Sequence, residues 1–117
     1  MPFDNSPIKT PEIPVADIEL INFLIKCRQR INHGWCQGTL YRRNFFGRLQ
    51  VCIIGAIDYI GDDASEIRMA ARAAIAQTLG GGNLVRYNNE KGRTKRQILD
   101  LLDETIQREC LSSAERS

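Results

Sequence analysis

The seven residues Val51 to Ile57, "VCIIGAI", decide which fold this chain adopts. Every one is apolar or glycine, so the run reads as buried, and burial on all sides hides its period. Val51-Cys52-Ile53-Ile54 alone suits a buried strand. Ala56, Ile57 and Ile60, however, recur at helical intervals from Cys52 and Ile53, which favours a buried helix. With a helix here the chain is mainly α: about four helices around one core, with a short β-hairpin or extended segment after the first helix.

On the N-terminal side, Leu20, Leu24, Cys27 and Ile31 form a helical stripe from about Val15 to Asn32, widened by Ile18, Ile21 and Ile25. Lys26, Arg28 and Arg30 suit the negative end of the helix dipole. Asn32-His33-Gly34 is the expected stop, with Gly34 in a left-handed cap. Thr39, Leu40 and Tyr41 favour extended structure, and Asn44 to Gly47 can reverse the chain. Towards the C-terminus, Asp63-Ala64-Ser65-Glu66 has capping-box spacing and opens a helix with the stripe Ile67, Ala70, Ala71, Ala74, Ile75 and Thr78. Gly80-Gly81-Gly82 ends it. A long loop then leads to a second capping box, Thr94 to Gln97, opening a last helix on Ile98, Leu101, Leu102, Thr105 and Ile106. All four prolines lie in residues 1–14, an extended arm. Residues 15–110 form a single globular domain, and residues 111–117 a polar tail.

At 117 residues the chain suits one domain, and its 43% hydrophobic and 26% charged content is that of a globular protein. A net charge of +2 is too small to argue for nucleic acid by itself. No apolar leader segment or run of about 18 apolar residues occurs. The four cysteines are therefore expected as reduced thiols in a cytoplasmic protein.

Three constellations could carry function. "HGWCQG", residues 33–38, holds the only histidine and the only tryptophan. His33 could activate the Cys36 thiol, but no orienting Asp or Asn stands nearby. Core packing of Trp35 and Cys36, with His33 at a helix end, is the stronger reading. His33-x-x-Cys36 is also half a zinc site, completed only if Cys52 joins it. The second constellation is Gly92 to Arg96, where Arg93, Lys95 and Arg96 with the Thr94 hydroxyl stand at a helix start. Free N–H groups there attract anions, so a phosphate or carboxylate pocket with Arg86 and Tyr87 as neighbours competes with a solvated start in which Thr94 caps and Arg93 pairs with Glu90 or Asp62. Third, Tyr41, Arg42, Arg43, Phe45, Phe46 and Arg48 interleave cations with aromatics, which suits nucleic-acid contact and a protein interface equally.

Read jointly, "HGWCQG", "GRLQVCIIGAI" and "YNNEKGRTKRQILDLLDETI" resemble a family of small bacterial and phage domains of unknown function. The family's marks are W-x-Q-G, C-x-x-G-A-[LI] and N-[DN]-x-x-G-R-T. The resemblance covers Ile18 to Ile106 and places Trp35, Gln37 and Gly38, Cys52, Gly55 and Ala56, and Asn88, Gly92, Arg93 and Thr94 on motif positions. Tyr87 stands where the pattern has tryptophan and Asn89 where aspartate is common. The resemblance implies a mostly helical fold with the turn segments meeting around Trp35, and no mechanism. Gly55 would admit Trp35 or another helix close to its own helix.

Together these features lead to a non-enzymatic binding or regulatory domain of phage or mobile-element type, without a cofactor, metal or membrane contact. Its partner is a protein, a second copy of the chain, or an anionic nucleotide-like ligand. Arg93, Thr94, Lys95, Arg96, Arg86, Trp35, Gln37 and Asn88 are the expected ligand residues. Tyr41, Arg42, Arg43, Phe45, Phe46 and Arg48 are the expected partner surface. The alternatives are a nucleic-acid-binding module using both basic clusters and an enzyme using Cys36 and His33.

Overall fold

The computed structural model describes residues 15–61 and 65–116. The proline-rich arm and the Asp63–Glu66 capping box fall wholly or in part outside them. Five helices and one hairpin follow in order: α1 (Val15–His33), β1 (Tyr41–Arg43), β2 (Leu49–Val51), α2 (Ile53–Gly61), α3 (Ser65–Thr78), α4 (Leu84–Asn89) and α5 (Lys95–Arg116). The mainly helical fold with a hairpin after the first helix is as the sequence indicates.

The opening stretch turns out to be both things it resembles. Val51 is the last residue of β2, paired antiparallel with Tyr41 and bridged in parallel to Trp35. Its N–H donates to the Gly34 carbonyl and its carbonyl accepts from the Cys36 N–H, both at 3.0 Å. One residue later the chain is capping a helix: the Cys52 sulfur accepts from the Gly55 N–H at 3.3 Å and the Cys52 carbonyl from the Ala56 N–H at 2.9 Å. From Ile53 to Ile57 the helix is buried on every side, so apolar patterning could not show where strand became helix.

α2 is the centre of the molecule. Ile53, Ala56 and Ile57 meet Leu24, Cys27 and Ile31 of α1, Ala71 and Ile75 of α3, and Ile98 and Leu102 of α5 in one apolar cluster. The α1 stripe is narrower than its sequence suggests: Ile18 and Ile25 are exposed, while Phe23 is buried. Ala70 of the expected α3 stripe also faces solvent. On both helices these residues lie beyond the arc that reaches neighbours.

The helix ends follow their sequence signals, with two corrections. After α3, Gly80 and Gly81 have φ of 81° and 95°, and their N–H groups return to the Gln77 and Ala76 carbonyls, the double bond pattern of a Schellman cap. At α5, the Thr94 hydroxyl accepts from the Gln97 N–H while the Gln97 side chain accepts from the Thr94 N–H, completing the expected capping box. Gly34, by contrast, has no left-handed φ. A Cβ there would collide with the Leu49 carbonyl, so the glycine serves strand approach. The second correction is α4, which occupies part of the expected long loop. Asn83 caps it, accepting from the Arg86 N–H at 3.0 Å, and Leu84 anchors it in the core. α5 continues through residues 111–116, with Ser113 buried.

Candidate functional site

Asn88 is 1% exposed and stands where three segments converge. Its Oδ1 accepts from Trp35 Nε1 at 2.8 Å and from the Ile53 N–H at 3.2 Å. Its Nδ2 donates to the Cys36 carbonyl at 3.1 Å and to Asn89 Oδ1 at 3.0 Å. Two donors and two acceptor sites are all that a primary amide has, so Asn88 is saturated. Because it accepts from the first N–H of α2, it acts as a cap supplied from 35 residues further along the chain.

Neighbouring polar groups complete the knot. Gln37 Nε2 donates to the carbonyls of Asn88 and Glu90 at 2.9 and 3.0 Å, and the Gly38 N–H to Asn89 Oδ1 at 2.8 Å. Gly38 has φ of 83°, which lets the chain turn away into the hairpin. Asn89 was not among the expected ligand residues, yet it makes two of these bonds. Its sequence signal is the motif position after Asn88, where the resembled family has Asp or Asn.

The cations at the α5 start are placed one by one. The Arg93 guanidinium lies 3.6 Å from the centre of the Tyr87 ring, donates from Nε to the Tyr87 carbonyl at 2.9 Å and pairs with Glu90 at 2.9 Å. Its side chain is 15% exposed. Lys95 donates to the Asn32 carbonyl at 3.2 Å, closing the end of α1, and Arg96 pairs with Asp100 one turn on. Arg86 is exposed on the outer side of α4, beside a hollow of about 180 Å³ lined also by Tyr87 and Glu90. The structure thus brings Trp35, Gln37, Asn88 and Arg93 together, but through contacts with one another and with the backbone. Arg96 pairs along its own helix, and Arg86 stays exposed at the rim of the hollow beside α4.

Cys36 is buried, donates to the Thr39 carbonyl at 3.6 Å, and burial pushes its thiol up. His33, the last residue of α1, is exposed. No hydrogen bond joins the two among the described residues. Nor do three His, Cys, Asp or Glu side chains group there as metal ligands, so Cys52 does not complete a site with them. Gly55 does admit a close neighbour, though neither Trp35 nor a helix: the Leu40 backbone carbonyl lies where a Cβ would be.

The hairpin is the opposite environment. Asn44 Oδ1 accepts from the Phe46 and Arg48 N–H groups, both at 2.9 Å. The Gly47 N–H returns to the Asn44 carbonyl, and Gly47 takes a φ of 78°. The tip is therefore locked, and it holds Phe45 and Phe46 at 96% and 81% exposure, edge to face with centroids 5.4 Å apart. Arg42 and Arg43 stand on β1 and Arg48 follows the turn, all exposed. Arg43 donates to the Gly47 carbonyl at 2.8 Å, and Arg42 reaches Gln50 only at 3.5 Å. At the root, desolvation and then Asp58 push the Tyr41 phenol up, with Arg68 opposing. Residues 20–57 contain Lys26, Arg28, Arg30, Arg42, Arg43 and Arg48 and no Asp or Glu.

Among the described residues no helix is long and apolar enough to cross a membrane. Residues 16–108 match a family described as a family of unknown function, DUF6197. No curated protein and no solved structure matches the chain.

Proposed function

The chain belongs to DUF6197, a family of unknown function, and from its own surfaces we propose that it is a non-enzymatic binding domain whose contact element is the β-hairpin. One observation carries this reading: two adjacent phenylalanines are held in solvent on a turn whose conformation is fixed by four hydrogen bonds. Solvent-facing aromatic rings add nothing to the core, and a locked turn lowers the entropy lost on binding. Aromatic residues and arginine are also the types enriched where interfaces concentrate their energy.

The knot around Asn88 then has a supporting role. Trp35, Gln37, Asn88 and Arg93 hold the root of the hairpin against α2 and α4, so the tip projects from a rigid base. Cys36 fits this reading better than a catalytic one, since a buried thiol with a raised pKa is a poor nucleophile. The bacterial or phage setting and the three-motif signature rest on the sequence resemblance alone.

Covalent footprinting tests the assignment. The purified chain and the chain in the lysate of its own cells are labelled with a carbene reagent. Phe45 and Phe46 should lose most of their labelling in the lysate while exposed residues on α3, such as Met69, keep theirs. Equal labelling in both settings removes the hairpin as the contact element.

A further inference from the structure

Resting on the hairpin as the contact element, we propose that its partner is single-stranded nucleic acid, gripped by base stacking on Phe45 and Phe46 and by phosphate contacts to Arg42 and Arg48. Three observations converge on that chemistry. The two rings stand nearly perpendicular, 83° apart, and almost wholly in solvent, so each offers a face to an unpaired base. Cations flank them on both sides of the turn, and the hairpin sequence from Tyr41 to Val51 contains no Asp or Glu. Three of the chain's 16 Lys and Arg, namely Arg42, Arg43 and Arg48, are exposed on the hairpin itself.

The shape of the tip separates this partner from a protein. Strands of three residues and a short turn make a small convex projection. Stable protein interfaces bury about 800 Å² on each side, more than such a tip offers by itself. Stacking and ion pairing need only a base and a phosphate per contact, and a projecting finger meets both along a flexible strand. A duplex hides its base faces and would meet the arginines alone.

The test is fluorescence anisotropy of labelled 15-nucleotide single strands, one DNA and one RNA, titrated with the full chain, with a 15-base-pair duplex and poly-glutamate as controls. The single strands should bind at least tenfold more tightly than either control. With two to three phosphates neutralised, affinity should fall roughly tenfold between 50 and 200 mM salt. Phe45→Ala with Phe46→Ala should weaken binding at least tenfold while leaving the salt dependence unchanged. Arg42→Ala with Arg48→Ala should weaken it and flatten the salt dependence. Circular dichroism of both variants should match the parent, since these side chains are exposed. No binding of either strand at 50 mM salt overturns the inference, as does equal affinity for single strand, duplex and poly-glutamate. Footprint protection of Phe45 and Phe46 in the lysate together with either result would leave the hairpin as the contact element for some other partner.

Discussion

Around Asn88, a tryptophan, a glutamine, two asparagines and an arginine use their polar groups on one another and on the backbone. On the hairpin, two phenylalanines and three arginines face solvent, and the turn is held by Asn44, with Arg43 donating to the Gly47 carbonyl. Both regions combine aromatic rings with cations and amides, the residue types of binding sites. The difference lies in what surrounds them. At Asn88 three segments arrive from far apart in the chain, so each donor finds a protein acceptor. At the tip no other described element covers the rings, and what the turn does not use faces solvent. Rich polar chemistry is therefore weak evidence of a ligand site until its partners have been counted.

The largest test of this contrast is Asn88→Ala. It would leave Trp35 Nε1, the Ile53 N–H and the Cys36 carbonyl without their partner, at about 1–3 kcal/mol for each buried group. Urea denaturation should show a loss of about 3–5 kcal/mol. A loss below about 1 kcal/mol would mean that the knot is not structural. Gly55→Ala comes next. Alanine ordinarily stabilises a helix interior by up to about 1 kcal/mol, but here its Cβ meets the Leu40 carbonyl. We expect a net loss of about 2 kcal/mol by the same measurement, and a gain would refute the close approach.

A pH series probes the closed core beneath the knot. Burial pushes the Cys27 thiol from 9.0 to about 12. The folded state therefore holds its proton where the unfolded chain loses it. Stability from this group is complete below pH 9 and declines as pH rises towards 12, by about 1 kcal/mol near pH 10. Cys27→Ala should flatten that part of the stability–pH curve; an unchanged slope would show that water reaches the thiol. Thr94→Ala removes half of the α5 capping box, at about 1 kcal/mol, with no change expected in strand binding. Smallest of all, Phe45→Ala and Phe46→Ala should each change the unfolding free energy from urea denaturation by less than about 0.5 kcal/mol. A larger shift would make the tip part of the fold.

Much of the helical frame could be read from the chain, and the reasons are local. Thr94 and Gln97 reach each other within one turn, and Gly80 and Gly81 adopt their left-handed φ without help from distant residues. The stripe of α5 is legible because only one of its faces is buried. The stripe of α1 looks wider in sequence than it is, since Ile18 and Ile25 lie at its flank and only the angle at which the helices pack sets where burial ends. α4 is not legible in the sequence because six residues give too little periodicity to stand out from a loop. At the candidate site, the Arg93–Glu90 pair is one of the two pairings the sequence offers, because the residues are three apart. The bond from Lys95 to the Asn32 carbonyl was not, because it spans 63 residues.

By itself the sequence determined the glycine stop of α3 and the Thr94–Gln97 cap of α5, that the chain reverses at Asn44 to Gly47, and that arginines and phenylalanines share that turn. These are matters of neighbouring residues and backbone preference. Only the tertiary structure decided that Val51 ends a strand while Ile53 begins a helix, because strand bonds from Gly34 and Cys36 and a capping amide from Asn88 meet at that one junction. It likewise decided which of two similar-looking clusters is closed and which is open. Whether a polar side chain is free depends on what packs against it, and for both clusters that was settled by residues far away in the chain.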